Sequence, residues 1–139
     1  MNLPVLDCAP PMSKLLLVCA GGAIGSGARY LVGSWAVATW GTLFPWGTLA
    51  VNLVGSFLIS VIMYLGLEVG SIGPDLRTFL AVGIMGGFTT YSSFNHETLV
   101  LAQRGQWGIA AAYVGATLVG AWAAGLAGLL LAQLVASGS

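Results

Sequence analysis

Apolar residues along this chain do not alternate with polar ones as they would in a helix or strand that faces water. They run in four blocks, parted by short clusters of Gly, Pro, Trp or charged residues. A helix needs about 20 apolar residues to cross the hydrocarbon core of a bilayer. The blocks therefore predict an all-α membrane protein with helices over roughly 14–39, 47–67, 77–102 and 107–136. Residues 1–13 hold three prolines and an Asp and read as an irregular extension, with Met12 as an alternative start; 137–139 form a polar tail. Between them, 14–136 form one transmembrane domain. Lys14 before Leu15-Leu16-Leu17-Val18 resembles the onset of a signal peptide. Apolar character continues to Ala38, which favours a retained helix.

Polar residues inside the blocks carry the pattern that matters. Gly83 to Glu97 packs three glycines, four Ser or Thr residues, an Asn, the only His and a Glu into fifteen positions. Gly86-Gly87 lowers helix propensity, and Thr89, Thr90, Ser92 and Ser93 compete for backbone groups. Irregular backbone at membrane depth survives only where protein or a water-filled cavity satisfies it. The third helix is therefore expected to be broken, with the break lining a polar pathway. In the second block Thr48, Asn52, Ser56 and Ser60 recur every four residues, on one helical face. The Asn52 amide either ties helices together or offers its NH2 to a solute. The first block carries Gly21-Gly22-Ala23-Ile24-Gly25, which permits close helix approach. Its Arg29 either snorkels to the interface beside Tyr30 or partners a carboxylate or helix-end carbonyls. In the fourth block Ala116, Gly120, Ala124 and Gly128 form a small-residue seam, with Tyr113 and Thr117 as a short polar row beside it. Trp40 to Trp46 reads as an interfacial turn.

Composition narrows the function. Of 139 residues 58% are hydrophobic and only 6% charged, where soluble domains carry about 25% charge; mean hydropathy is +0.94. Net charge is zero with no basic patch, so nucleic acid is not an expected partner. Cys8 and Cys19 stand in no metal-ligand spacing and read as inert thiols. No nucleophile comes with a base and an orienter, so an enzyme is not expected. Four spans put both termini on one side, where Lys14 and Arg77 lie; Arg104, and Arg29 if it snorkels, lie on the other. That near-zero bias allows insertion in both orientations. Two opposed copies could then pair about an axis in the membrane plane, and four helices are few for enclosing a pathway alone.

Three stretches together resemble the small fluoride channels of the Fluc/CrcB family. They are Gly21–Gly25 with Ala28-Arg29-Tyr30, then Gly47-Thr48-Leu49-Ala50-Val51-Asn52, then Gly86-Gly87-Phe88-Thr89-Thr90-Tyr91-Ser92-Ser93-Phe94 with Glu97. The resemblance implies a dual-topology, antiparallel homodimer in a microbial inner membrane, with two fluoride pores at its interface. It further implies a structural sodium ion at the dimer centre, held by the backbone carbonyls of Gly86 and Thr89. Pore-lining roles would fall on Asn52, Thr48, Tyr91, Phe94, Tyr113 and Thr117. Glu97 would stand near the pore and Arg29 near an anion entrance. Tyr91 departs from the usual Phe, Ser93 from a usual Thr, and Ala121 from a hydroxyl found in some members. His96, next to Glu97, is expected to cap or pack rather than gate.

Fluoride is small and strongly hydrated, so a pore must replace its water with close, neutral donors. Asn52 and the hydroxyls of Thr48, Ser93, Tyr113 and Thr117 are such donors, and the positive edge of Phe94, with Tyr91, can face an anion. A rival reading is a proton-coupled exporter of cationic compounds, which needs an embedded acid; Glu97 is the only candidate.

Overall fold

The computed structural model describes residues 11–138, and among these no strand occurs. The prolines of the N-terminal extension up to Pro10, Cys8 and the terminal Ser139 lie outside the described residues. Helix α1 spans Met12–Trp40 and α2 Trp46–Leu67. The third segment comes in two pieces, α3 over residues 74–88 and α4 over Tyr91–Gln103. Helix α5 spans Trp107–Ser137. Three of these, α1, α2 and α5, are long and apolar enough to cross a membrane. Neither α3 nor α4 alone reaches the roughly 20 residues a crossing requires.

Local chemistry sets the boundaries. Gly41, at φ +74, ends α1, and its N–H donates to the Val37 carbonyl. Pro45 precedes α2, and at the far end of α2 the Arg77 guanidinium donates to the Gly66 carbonyl (3.0 Å). Pro74 opens α3, where its missing N–H costs nothing. Most of α3, Thr78–Met85, is wound as a π-helix, a form uncommon outside functional or strained positions. The expected irregular extension stops short of 13, because Met12 and Ser13 already belong to α1.

Packing differs between the two halves of the third segment. Helix α3 lies against α1 with almost no side chain between them: a Cβ on Gly21 would sit 2.6 Å from the Phe79 carbonyl oxygen. A Cβ on Gly87 would sit 2.6 Å from the Gly22 carbonyl oxygen, and one on Gly25 would overlap the Ile84 carbonyl. Helix α4 leans instead on α5, where Phe94, Leu101, Ala110 and Tyr113 form the buried core with Phe44 and Leu49 beside it. The broadest helix contact is α2 on α5. There Gly128 meets the Phe57 backbone and Gly120 the Leu53 side chain, as the small-residue seam predicts, whereas Ala116 is exposed and does not take part. Trp35, Trp40 and Trp46 cluster edge-on or tilted at the α1–α2 turn, placing a girdle of the kind found at membrane interfaces.

The break is not where the glycines stand. Gly86-Gly87 continue the helix to Phe88, and the chain becomes extended only at Thr89 (ψ 157) and Thr90 (φ −153, ψ 116). Gly87 serves close approach, since a side chain there would strike α1, whereas Gly86 faces open space. The threonines make the break, and Thr90 turns it into the cap of the next helix.

Candidate functional site at the helix break

Thr90 is the joint of the site. Its Oγ1 accepts from the Ser93 backbone N–H (3.2 Å), the N-cap geometry that satisfies an orphan donor of α4. The same hydroxyl donates to the Ser93 Oγ (3.0 Å), which leaves the Ser93 proton free. Asn52, on α2, grips Thr90 at both backbone groups. The Thr90 N–H donates to Asn52 Oδ1 (2.8 Å), and Asn52 Nδ2 donates to the Thr90 carbonyl (3.1 Å). Both open readings of Asn52 therefore find room. One amide hydrogen ties the helices and the second is not used. Gly55, one turn further along α2, leaves space that the Thr89 methyl fills.

A second clasp lies one turn earlier on α2. Glu97 Oε1 accepts from the Thr48 hydroxyl (2.8 Å), and Glu97 Oε2 accepts from the Tyr113 hydroxyl (2.7 Å). The carboxyl group thus joins α2, α4 and α5. Tyr113 is fully buried, with its ring edge-on to Phe94 at 5.1 Å between centroids. Its hydroxyl proton is committed to Glu97, so in this arrangement it presents no donor to a cleft.

Two clefts meet at Thr90. One, of about 320 Å³, is lined by Asn52, Thr89, Tyr91, Phe94 and Thr117 among others. The other, of about 270 Å³, is lined by Arg29, Thr48, Ser93 and Glu97. Most of the expected site residues thus divide into two groups, while Gly86 and the buried Tyr113 line neither cleft. Thr117 is 6% exposed, and its hydroxyl is buried with no hydrogen-bond partner. Buried polar groups are nearly always bonded; Thr117 lines the cleft, but its lone hydroxyl lies beneath the wall and meets a ligand or water only if the side chain turns or its neighbours shift. Phe94 is buried, while Tyr91 is 76% exposed and 5.8 Å from the Phe94 ring. Arg29 is half-buried and forms no ion pair among the described residues, so neither Glu97 nor another carboxylate claims it. His96 is exposed and, among the described residues of this one chain, makes no hydrogen bond.

The carbonyls expected to hold a cation are left without their helical donors. In an unbroken helix the Thr90 N–H would reach the Gly86 carbonyl; here it goes to Asn52. The Ser93 N–H would reach the Thr89 carbonyl; here it goes to the Thr90 hydroxyl. Two neutral oxygens with free lone pairs fit a hard monovalent cation, and Gly86 is exposed on the molecule's surface.

Thr90 is a functional residue that stands in the polar cluster of the sequence without a role of its own. A Thr directly before a new helical run is an N-cap signal visible in sequence. Its clasp by Asn52, 38 residues earlier, is not.

These features define a small helical membrane protein built around a polar, capped break, with a mostly apolar cleft on one side of it and a more polar one on the other. Residues 16–129 match the family model described as CrcB-like protein, Camphor Resistance (CrcB), and the chain belongs to that family. It is 56% identical over 125 residues to the fluoride-specific ion channel FluC of Anaeromyxobacter dehalogenans, covering 90% of this chain and 99% of that protein. It is also 48% identical over 122 residues to FluC of Agrobacterium fabrum, covering 88% and 98%. With FluC of Thermus thermophilus the identity is 47% over 123 residues, covering 88% and 91%.

Proposed function

We propose that this chain is a fluoride-selective ion channel of the inner membrane. It lets cytoplasmic fluoride leave passively, as an antiparallel homodimer with two pores. The observation that carries the ion's identity is the 56% match, over nearly the full length of both chains, to a protein named a fluoride-specific ion channel. The geometry supplies what such an ion needs. The cleft beside the break is lined by Asn52 with its spare amide hydrogen, by the Phe94 ring and by Thr117, whose unpartnered hydroxyl lies just beneath the wall. These are neutral donors, and a net hydrogen bond of about 1 kcal/mol each holds an anion loosely enough to let it move on. Arg29, without an ion pair among the described residues, lines the second cleft and attracts anions toward the mouth without lining the narrow part.

The second copy is supported by α4. Tyr91, Ser92, Asn95 and His96 are exposed on a segment set among membrane helices, and polar side chains there require a partner or water. An opposed copy would cover them and bring its own Gly86 and Thr89 carbonyls to the same place. Four carbonyls would then hold a sodium ion, whose role is a fixed positive charge that also satisfies backbone oxygens. The rival exporter reading is disfavoured by Glu97, whose two oxygens are both taken by hydroxyls rather than open to a transported cation.

The test is anion efflux from liposomes holding the purified protein, with voltage clamped by a potassium ionophore and no pH gradient. Fast fluoride loss with negligible chloride loss is expected. Fluoride loss only under an imposed proton gradient would replace the channel by a coupled transporter.

A further inference from the structure

We infer that in this chain the fluoride path leaves the break along the serine face of α2, with Ser60 as a further ion-contacting residue; the inference rests on the channel reading above. The cleft beside the break adjoins a larger groove of about 580 Å³ between α2 and α5, and Ser56 and Ala121 line both. Helix α5 offers no hydroxyl there. After Tyr113 and Thr117, the next positions on its row are Ala121 and Gly125. The hydroxyls come from the opposite wall. Ser56, Ser60 and Tyr64 follow one another at four-residue spacing and all line the groove, so they stack along one face of α2. Gly125 admits the Ser60 hydroxyl to the α5 wall: a Cβ there would lie 3.3 Å from Ser60 Oγ.

The serine protons are not locked. Ser56 Oγ donates to the Asn52 carbonyl (2.7 Å) and Ser60 Oγ to the Ser56 carbonyl (3.0 Å). Each of those carbonyls is four residues back in the same helix and also receives a backbone N–H, so it stays satisfied when the hydroxyl turns away. A serine that swings its proton to a passing anion exchanges one hydrogen bond for another. The Tyr64 hydroxyl makes no hydrogen bond among the described residues and offers the next donor. Glu68, exposed at the outer end of the groove, is the charge an anion on this route must pass.

Two variants test the path in the liposome assay, each first checked for wild-type elution and thermal stability in detergent. Ser60→Ala is expected to slow fluoride efflux about fivefold, the loss of roughly one neutral hydrogen bond. Glu68→Gln is expected to speed efflux about twofold at about 10 mM salt, and the gain should vanish at about 1 M, where the screening length falls to about 3 Å. Wild-type rates in Ser60→Ala would overturn the path and leave the groove to lipid. Slowing in Ser60→Ala without the salt-dependent gain in Glu68→Gln would make it a packing effect and overturn the path equally. Absence of fluoride efflux from the unmodified protein would instead defeat the channel reading itself.

Discussion

The two halves of the broken segment are held in opposite ways. Helix α3 meets α1 through glycine backbones and makes no side-chain hydrogen bond to it; α4 meets α2 and α5 through Asn52, Thr48, Glu97 and Tyr113. In a bilayer apolar surface gains little by leaving lipid, so helices associate by close packing or by polar contact. This chain uses packing along α1 and polar contact at the break, beside the proposed ion path. The seam cannot adjust, because backbone meets backbone. The clasp keeps spare valences: one Asn52 hydrogen, the Ser93 proton, the Thr117 hydroxyl.

The largest expected effect breaks the seam. Gly25→Val places methyl groups where the Ile84 carbonyl and the Phe88 backbone nitrogen already stand. No flexible side chain is there to yield, so α3 must move off α1. The expected outcome is loss of folded protein, read as aggregation on size-exclusion chromatography in detergent. A well-folded Gly25→Val with normal efflux would show that α1 and α3 are not held this way.

Breaking the clasp should cost less and spare the fold. Asn52→Ala strands the N–H and the carbonyl of Thr90 beside apolar helices. Leaving such groups unsatisfied costs about 1–3 kcal/mol each, reduced by whatever water enters the cleft. The variant is expected to remain folded, melt several degrees lower and lose most fluoride efflux. Unchanged melting would mean that the clasp does not order the break.

The same contrast explains what could be read from the chain beforehand. The four apolar blocks and the Trp-rich turn give helix ends within about three residues, because block length and interfacial aromatics act locally. The break was legible as a polar cluster but not in its place. Gly86-Gly87 has low helix propensity, yet the seam with α1 holds it helical, a tertiary override of a local preference. The clasp was half legible: Asn52 stood out as a buried amide, but its partner is backbone, which carries no residue type to recognise. Glu97 read as a pore carboxylate; that it takes Thr48 and Tyr113 together depends on how three helices converge. Arg29 has two readings in sequence, and among the described residues it has no carboxylate partner.

The smallest structural effect should come from Thr117, and it separates holding from conducting most cleanly. Its hydroxyl is buried and bonds nothing. Thr117→Val keeps the shape and exchanges that hydroxyl for a methyl group, so no hydrogen bond is lost and an unsatisfied buried group disappears. Melting temperature is expected to hold or rise slightly, since removing an unpaired polar group from an apolar wall is neutral to stabilising. Fluoride efflux is expected to fall about tenfold, because the cleft wall loses a hydroxyl that no protein group already uses. A stabilised variant with wild-type efflux would show that the orphan hydroxyl is a tolerated defect and that the ion does not touch it. A destabilised variant would show that water already bonds the hydroxyl in the resting protein, and that Thr117 belongs to the clasp rather than to the passage.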